Sequence, residues 1–171
     1  MDHAPKGQGS WELGTHRPIE VVLDEMRFGF EKLTAAFGDR FIPVMAPPWT
    51  RIAPDVTARL TEAGFKGLSM VPTRKTKYAA PGLLEASTRC DPIKWKGGAH
   101  FAGTERALDD MVSHLNNRRT GGGDSDEPTG LLTHHIDHDD EIWRFVEDAS
   151  QRLNAHPATR WITFDELFED A

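Results

Sequence analysis

The hydrophobic pattern of the chain predicts helices that alternate with short strands. Apolar residues repeat at helical spacing in four stretches, and a Pro, a Gly or a capping side chain marks most of their ends. These stretches are 18–37, 54–64, 104–115 and 142–153. Thr163-Phe164-Asp165-Glu166 has the spacing of a capping box and predicts a fifth, terminal helix.

Two of these helices are expected to bury an apolar stripe against the rest of the domain. The third, which Thr104 can cap, carries Leu108, Met111, Val112 and Leu115. The fourth carries Ile142, Trp143, Val146, Ala149 and Leu153.

Five short apolar runs between breakers predict buried strands. They lie at 41–46, 66–71, 83–87, 131–132 and 161–162. Segments without periodicity are predicted to be loops, namely 1–16, 72–80 and 120–127. Alternating helices and strands favour a mostly parallel sheet over a helix bundle, and five strands are too few for a closed eight-stranded barrel. The pattern predicts a single α/β domain over residues 1–171.

Composition and charge narrow the classes of function. The chain has 20 Lys and Arg against 27 Asp and Glu, a formal net charge of −7, so it offers no basic field for nucleic acid or an anionic membrane. No apolar run approaches the ~20 residues that span a bilayer, and the first residues lack the apolar segment of a signal peptide. Cys90 is the one cysteine, which excludes an internal disulfide. A cytoplasmic location is expected.

The densest group of candidate chemical side chains lies between the run 131–132 and the helix 142–153. Three histidines and three aspartates occur within seven positions, 134–140. Because ligands bind at the carboxyl ends of parallel strands, His134 and His135 are the leading candidates. The acids at the start of the helix are expected to serve mainly as caps: Asp137, Asp139, Asp140 and Glu141. A metal site formed by the three histidines, with His138 as the third, is a less favoured alternative.

Two other predicted strand ends also carry unusual residues, Pro47-Pro48-Trp49 with Arg51 and Asp91-Pro92-Ile93-Lys94-Trp95. With Leu131-Leu132-Thr133-His134, these groups resemble in order and spacing the later motifs of the polysaccharide deacetylase family, also called the NodB-homology domain or carbohydrate esterase family four. The first resembles its Arg-Pro-Pro-Tyr/Trp motif with Ala46 in place of Arg. The second resembles Asp-x-x-Asp-Trp with Lys94 in place of the second Asp, and the third resembles Leu-Leu-His.

The resemblance implies a distorted (β/α) barrel in which a divalent metal, usually zinc, activates water to hydrolyse N-acetyl or O-acetyl groups on sugars. It implies that His134 is the general acid, with His135 as the fallback, and Asp91 could orient that imidazole. The sugar would bind to a groove formed by Pro48, Trp49, Arg51 and Trp95. Core packing of the two tryptophans and a turn role for Asp91 remain open alternatives.

The metal ligands of the family have no counterpart in the chain. The family uses an Asp from a Thr-Phe-Asp-Asp strand end and a His-x-x-x-His pair, and neither occurs before Pro18. The similar Thr163-Phe164-Asp165-Glu166 lies in the wrong order, and His3 lies where residues just after the second histidine are expected. The resemblance therefore implies an incomplete barrel corresponding to the C-terminal two-thirds of the family domain. We expect no tight zinc in this chain, and we expect the DNA upstream of Met1 to encode His-Gly-x-x-His in frame.

Two functions from different classes follow. The first is a metal-dependent deacetylase whose metal-binding strands are absent from this chain, and which is therefore expected to be inactive in isolation. The second is a non-catalytic derivative that binds carbohydrate or a partner. A Cys90 nucleophile is less favoured because a free cysteine is usually a small buried hydrophobe. The sugar, the choice between amide and ester, and the oligomeric state stay open.

Overall fold

The computed structural model describes Ala4 and residues 9–168, so seven residues of the predicted loop 1–16, His3 among them, lie outside the described residues. The helices are α1 (Ile19–Phe37), α2 (Pro54–Thr57), α3 (Thr104–Thr120), α4 (Asp140–Ala155) and α5 (Phe164–Phe168). The strands are β1 (Val44–Met45), β2 (Gly67–Met70), β3 (Tyr78–Ala80), β4 (Leu83–Ser87), β5 (Ile93–Lys94) and β6 (His100–Phe101). Short 3₁₀ turns follow α1, β1 and α2.

The central sheet is mixed and mostly parallel. Its strand order is β1-β2-β4-β3, in which β1 pairs with β2 and β2 with β4 in parallel, while β3 runs antiparallel to β4. The strands β5 and β6 form a separate antiparallel pair. The predicted α/β class with a mostly parallel sheet is confirmed, and within the described residues the sheet is open.

Helix α1 forms where the sequence predicts it. Pro18 precedes its first residue, Gly38 ends it with a φ of 55°, and Val22, Leu23 and Met26 form its buried stripe. This stripe packs on one face of the sheet. The other buried residues of the same core are Leu13, Ala53, Val56, Leu60, Ala63, Phe65, Leu68 and Leu83.

The opposite face of the sheet is covered by α5. Phe168 packs with Leu84 and Ala86, whose side chains point away from the core under α1. A Cβ at Gly67 would lie 2.4 Å from Cε1 of Phe168, so glycine at this position of β2 lets the phenyl ring approach the sheet.

A second core joins α3 and α4 to the chain beyond β4. Cys90, Ala107, Met111, Phe145 and Ala149 are buried together. Asp139 caps α4, because its Oδ1 accepts hydrogen bonds from the backbone N–H groups of two residues in the first turn at 3.0 and 2.9 Å. The predicted capping role is therefore confirmed for this acid.

Several local predictions are wrong, most of them because tertiary pairing decided the outcome. The predicted loop 72–80 ends in β3, and the predicted loop 1–16 contains Leu13, which is buried and forms a parallel bridge with Ile52. The predicted strand 161–162 has no partner strand and is not a strand. The predicted strand 41–46 is reduced to β1, since Pro43 lacks the N–H that a ladder needs.

Apolar stripes also differ from the prediction. Trp143 lies on the exposed side of α4, while Phe145, three residues after the buried Ile142, takes the core position. In α3 the core position is taken by Met111, and its predicted neighbours Leu108, Val112 and Leu115 are exposed. No helix in the described residues is long and apolar enough to cross a membrane.

Candidate functional site

The candidate site lies at the carboxyl end of β4, where a single bridge brings two distant segments together. Leu131 pairs in parallel with Cys90: the Cys90 N–H donates to the Gly130 carbonyl at 3.1 Å, and the Leu132 N–H donates to the Cys90 carbonyl at 2.8 Å. Because the two segments run side by side, the residues that follow each of them meet. The predicted strand 131–132 is therefore only this one bridge.

Gly130 permits the close approach of the two segments. A Cβ at this position would lie 2.5 Å from the Ser87 carbonyl oxygen and 2.9 Å from Cα of Thr88. Both contacts are with backbone, which cannot move as a flexible side chain could. The glycine thus fixes how closely the His134 segment packs against the end of β4.

Asp91, Trp95 and His134 form the centre of the site. The Asp91 Oδ1 accepts a hydrogen bond from the Ile93 backbone N–H at 2.9 Å, and its Oδ2 accepts one from the Trp95 indole N–H at 3.1 Å. The same Oδ2 lies 3.5 Å from Nε2 of His134. The imidazole packs edge-on against the Trp95 indole, with ring centroids 4.8 Å apart. The carboxylate is thus held by two donors and faces the histidine.

The two ring nitrogens of His134 have different surroundings. Nε2 is enclosed and, within the described residues, has no hydrogen-bond partner, so the Asp91 carboxylate is its nearest charged neighbour. The side chain as a whole keeps 29% of its surface exposed. Nδ1 is therefore the nitrogen that remains for a ligand. A carboxylate beside one imidazole nitrogen fixes the ring orientation and leaves the other nitrogen for proton transfer.

His138 supports the same segment from the other side, which the sequence analysis missed. Its Nε2 accepts a hydrogen bond from the His134 backbone N–H at 2.9 Å, and its ring packs against Trp143 with centroids 4.5 Å apart. Burial, followed by the charge of His134, lowers the pKa of His138 below its ordinary value. The spacing of the histidine run could have indicated that these two residues meet across one turn.

His135, the fallback acid, points elsewhere. It is exposed, and no hydrogen bond or ion pair joins it to the rest of the described chain. His134 opens a turn that is closed by a hydrogen bond of 2.8 Å from the Asp137 N–H to the His134 carbonyl, and His135 lies within that turn with its side chain exposed. The structure brings His134 to the carboxylate.

The predicted groove residues Pro48, Trp49 and Arg51 lie beyond the carboxyl end of β1, on the same side of the sheet as the carboxyl end of β4, but they do not contact this centre. They follow β1, and β2 lies between β1 and β4, so the two groups are separated by roughly two strand spacings of about 4.8 Å each. Arg51 donates from its guanidinium to the Ser10 carbonyl at 3.1 Å, which ties the turn to the preceding segment.

The turn after β1 has an unusual backbone. Trp49 and Thr50 have φ values of 53° and 54°, the left-handed region that bulky residues rarely adopt. The Thr50 N–H donates to the Pro47 carbonyl at 2.9 Å, and this bond helps to hold the turn. The Trp49 side chain is half exposed as a result. Such strain costs about 1–3 kcal/mol per residue and often occurs at ligand sites.

Two other chemistries are disfavoured by the surroundings of their residues. Burial raises the pKa of the Cys90 thiol to about 11, and its Sγ donates to the Ala107 carbonyl at 3.2 Å. The thiol is therefore protonated at neutral pH and is not a nucleophile. No three His, Cys, Asp or Glu side chains in the described part converge as metal ligands, so the trio of His134, His135 and His138 does not fit a metal site.

A buried polar network behind the site was also missed, because the segment 120–127 was predicted to be a surface loop. Glu127 and His114 are both fully buried, with Oε2 of the carboxylate 2.9 Å from Nε2 of the imidazole. The carboxylate also accepts the backbone N–H groups of Arg74 and Ser87 at 3.1 to 3.2 Å. Glu127 thus ties the segment before Gly130 to the end of β4.

Arg74 completes this network on the side of β2. It is buried and donates to the Asp124 carboxylate at 3.0 Å and to the Glu85 carbonyl oxygen. Burial, followed by the charge of Glu127, raises the pKa of the Glu85 carboxyl above its ordinary value. The network joins three segments that are distant in sequence, which is why no local pattern indicated it.

Comparison of the chain with protein-family models, with curated proteins and with solved structures gives no match.

Proposed function

We propose that this polypeptide supplies the proton-donating half of a polysaccharide deacetylase-like hydrolase, which removes acetyl groups from a sugar substrate. The observation that carries the proposal is the placement of His134 3.5 Å from the Asp91 carboxylate and against the Trp95 ring. A further part of the proposal is that the open sheet belongs to an incomplete distorted (β/α) barrel.

The proposed chemistry balances as the hydrolysis of an acetamide or an acetate ester. Water adds to the acetyl carbon and loses a proton to solvent, the bond from that carbon to the sugar nitrogen or oxygen breaks, and the leaving atom gains a proton from an acid that solvent then reprotonates. His134 gives this proton from Nδ1, while Asp91 holds the orientation of the ring through Nε2. General-acid catalysis of this kind contributes about 10²–10⁴-fold to a rate.

The activation of water is outside what the described residues provide. In the family a divalent metal, usually zinc, performs this step, but the described side chains do not converge as a set of metal ligands. We therefore assign no step of the reaction to a metal on these residues.

Exposed aromatic surface supports a carbohydrate as the substrate. Trp95 and Trp49 are each about half exposed; Trp95 contacts Asp91 beyond the carboxyl end of β4, and Trp49 follows the carboxyl end of β1. The apolar face of a sugar ring stacks on an indole, and neighbouring polar groups bind its hydroxyls. An extended oligosaccharide that crosses the carboxyl ends of these strands could contact both tryptophans.

The proposal implies that activity requires the metal-binding strands of the family in addition to this chain, so the test is acetate release from N-acetylglucosamine oligomers by a polypeptide that contains both. We expect His134→Ala to lower kcat by about 10²–10⁴-fold with little change in KM, and His135→Ala to have a small effect. A larger loss in His135→Ala, or unchanged activity in His134→Ala, would overturn the assignment of the acid.

A non-catalytic carbohydrate-binding role is the second candidate, and the half-exposed Trp95 favours it equally. Binding without acetate release, together with loss of binding in Trp95→Ala, would establish this role in place of the hydrolase. Isothermal titration with the same oligomers measures it.

A further inference from the structure

The outward face of α3 carries an apolar stripe that nothing in the described chain covers. Leu108, Val112 and Leu115 are 39%, 60% and 47% exposed, although the opposite face of the helix is buried. Their spacing of four and then three residues continues to Glu105 before them and Arg119 after them. This alternation of three and four residues is the spacing of a seam between two packed helices.

The two ends of the stripe carry opposite charges. Glu105 lies in the first turn of α3 and Arg119 in the last, and both are exposed. Neither side chain forms an ion pair with another described residue, and Arg119 donates only to the Asn116 side chain of its own helix. A helix that packs antiparallel against an identical helix places the acidic end of each beside the basic end of the other.

We propose that α3 is a docking surface for α3 of a second copy of this chain, in an antiparallel pair with its two-fold axis near Val112. Val112 is the middle residue of the 17-residue helix and the centre of the stripe, so a two-fold axis there superimposes the stripe on itself. Leu108 then packs close to Leu115 of the second copy, and Glu105 lies near Arg119 of the second copy.

The size of the surface indicates a weak dimer. A helix of 17 residues is about 25 Å long. Stable complexes bury about 1,200–2,000 Å² in total, and smaller interfaces are typical of weak, transient association. We therefore expect a dissociation constant on the order of tens of micromolar.

Two exposed apolar residues of α1, Val21 and Phe28, do not form an equivalent stripe. The Lys32 Nζ lies 4.4 Å from the centroid of the Phe28 ring and covers part of it. Val21, which is 45% exposed, is separated from Phe28 by the acidic Asp24 and Glu25. Val21 is therefore a matched control for Val112, with the same side chain on a different helix.

Sedimentation equilibrium of the 171-residue chain between about 5 and about 500 µM tests the proposal. The unmodified chain should change from monomer to dimer across this range. Val112→Glu places two like charges at the axis and should raise the dissociation constant at least ~tenfold, while Val21→Glu should leave it unchanged. A monomer at every concentration, or a dimer that Val112→Glu does not weaken, would overturn the proposal.

Charge reversal tests the antiparallel orientation separately. Arg119→Glu should weaken the dimer about threefold to tenfold, and combining it with Glu105→Arg should restore most of the loss. Additive weakening in the double variant would contradict the predicted neighbours and overturn the antiparallel arrangement. Circular dichroism of each variant should remain that of the unmodified chain, because all these side chains are exposed.

Discussion

The backbone N–H of His134 donates a hydrogen bond to Nε2 of His138, and the two nitrogens are 2.9 Å apart. A nitrogen that accepts this bond carries no proton, so the bond requires a neutral imidazole. The pKa of His138 is lowered first by burial and then by the charge of His134. The folded state therefore favours the neutral ring, and this stabilisation is present above the ordinary pKa of 6.5 and is lost as pH falls through the lower folded value.

We predict that the segment 134–138 loosens as pH falls from about 7 to about 5. Glutamine can accept the same bond through its amide oxygen but does not titrate, so His138→Gln should remove the pH dependence. Native-state hydrogen exchange of the His134 amide, corrected for the intrinsic effect of pH, measures this. The unmodified chain should lose protection roughly tenfold, and an equal loss in the variant would show that His138 is not the titrating group.

A second prediction concerns the close approach at Gly130. Gly130→Ala places a methyl group 2.5 Å from the Ser87 carbonyl oxygen, so the Leu131–Cys90 bridge must shift. We expect a loss of about 1–3 kcal/mol in the free energy of unfolding, measured by urea denaturation. In a polypeptide that also carries the metal-binding strands of the family, the displaced His134 should lower kcat for acetate release.

Gly29→Ala is the control for this change. A Cβ at Gly29 meets nothing within 4 Å, and the residue lies inside α1. Because alanine favours helix over glycine, this variant should gain about 0.5–1 kcal/mol. Equal effects of the two substitutions would indicate that the contacts at Gly130 do not limit the packing.

A third prediction concerns the buried carboxylate of Glu127, which accepts bonds from two backbone N–H groups and faces His114. Glu127→Gln replaces one acceptor oxygen by an NH₂ donor, which leaves buried donors facing another donor. We expect a loss of about 3 kcal/mol or more, which for a chain of this size lowers Tm by roughly 6–12 °C. Differential scanning calorimetry measures the change.

The exposed Asp126→Asn is the matched control for that experiment, since it makes the same chemical change one residue earlier. Its Tm should stay within about 2 °C of the unmodified chain. If Glu127→Gln is as mild as this control, the network does not contribute to holding the segment before Gly130.

The parts of the fold that the sequence predicted are those whose signals are local. Helix α1 follows from a Pro before it, a Gly after it and an apolar repeat between them, and β4 follows from a short apolar run. The Asp139 cap depends on a side chain that bonds to N–H groups two and three residues later. Each of these outcomes is decided within one turn or one strand.

The errors occur where a distant partner decides the structure. A strand requires a neighbouring strand with free N–H and C=O groups. The segment predicted to be a loop forms β3 because β4 pairs with it, whereas residues 161–162 have no such partner and are not a strand. Trp143 was assigned to the buried stripe because it is apolar, but the neighbouring elements contact the side of α4 that carries Phe145. Hydrophobicity alone does not indicate which face of a helix meets the core.

By itself the sequence determined the α/β class, the ends of α1 and the segments that carry Asp91 and His134. The predicted helix 54–64 was wrong in extent, because only α2 (Pro54–Thr57) is α-helical and a 3₁₀ turn follows it. The tertiary structure decided that these two residues meet, because the parallel bridge of Cys90 with Leu131 joins segments 41 residues apart. It also decided that Glu127 is buried and that His134 faces the carboxylate while His135 does not. The physical reason is that burial and side-chain direction depend on which distant backbone supplies hydrogen-bond partners, and no local pattern of residues contains that information.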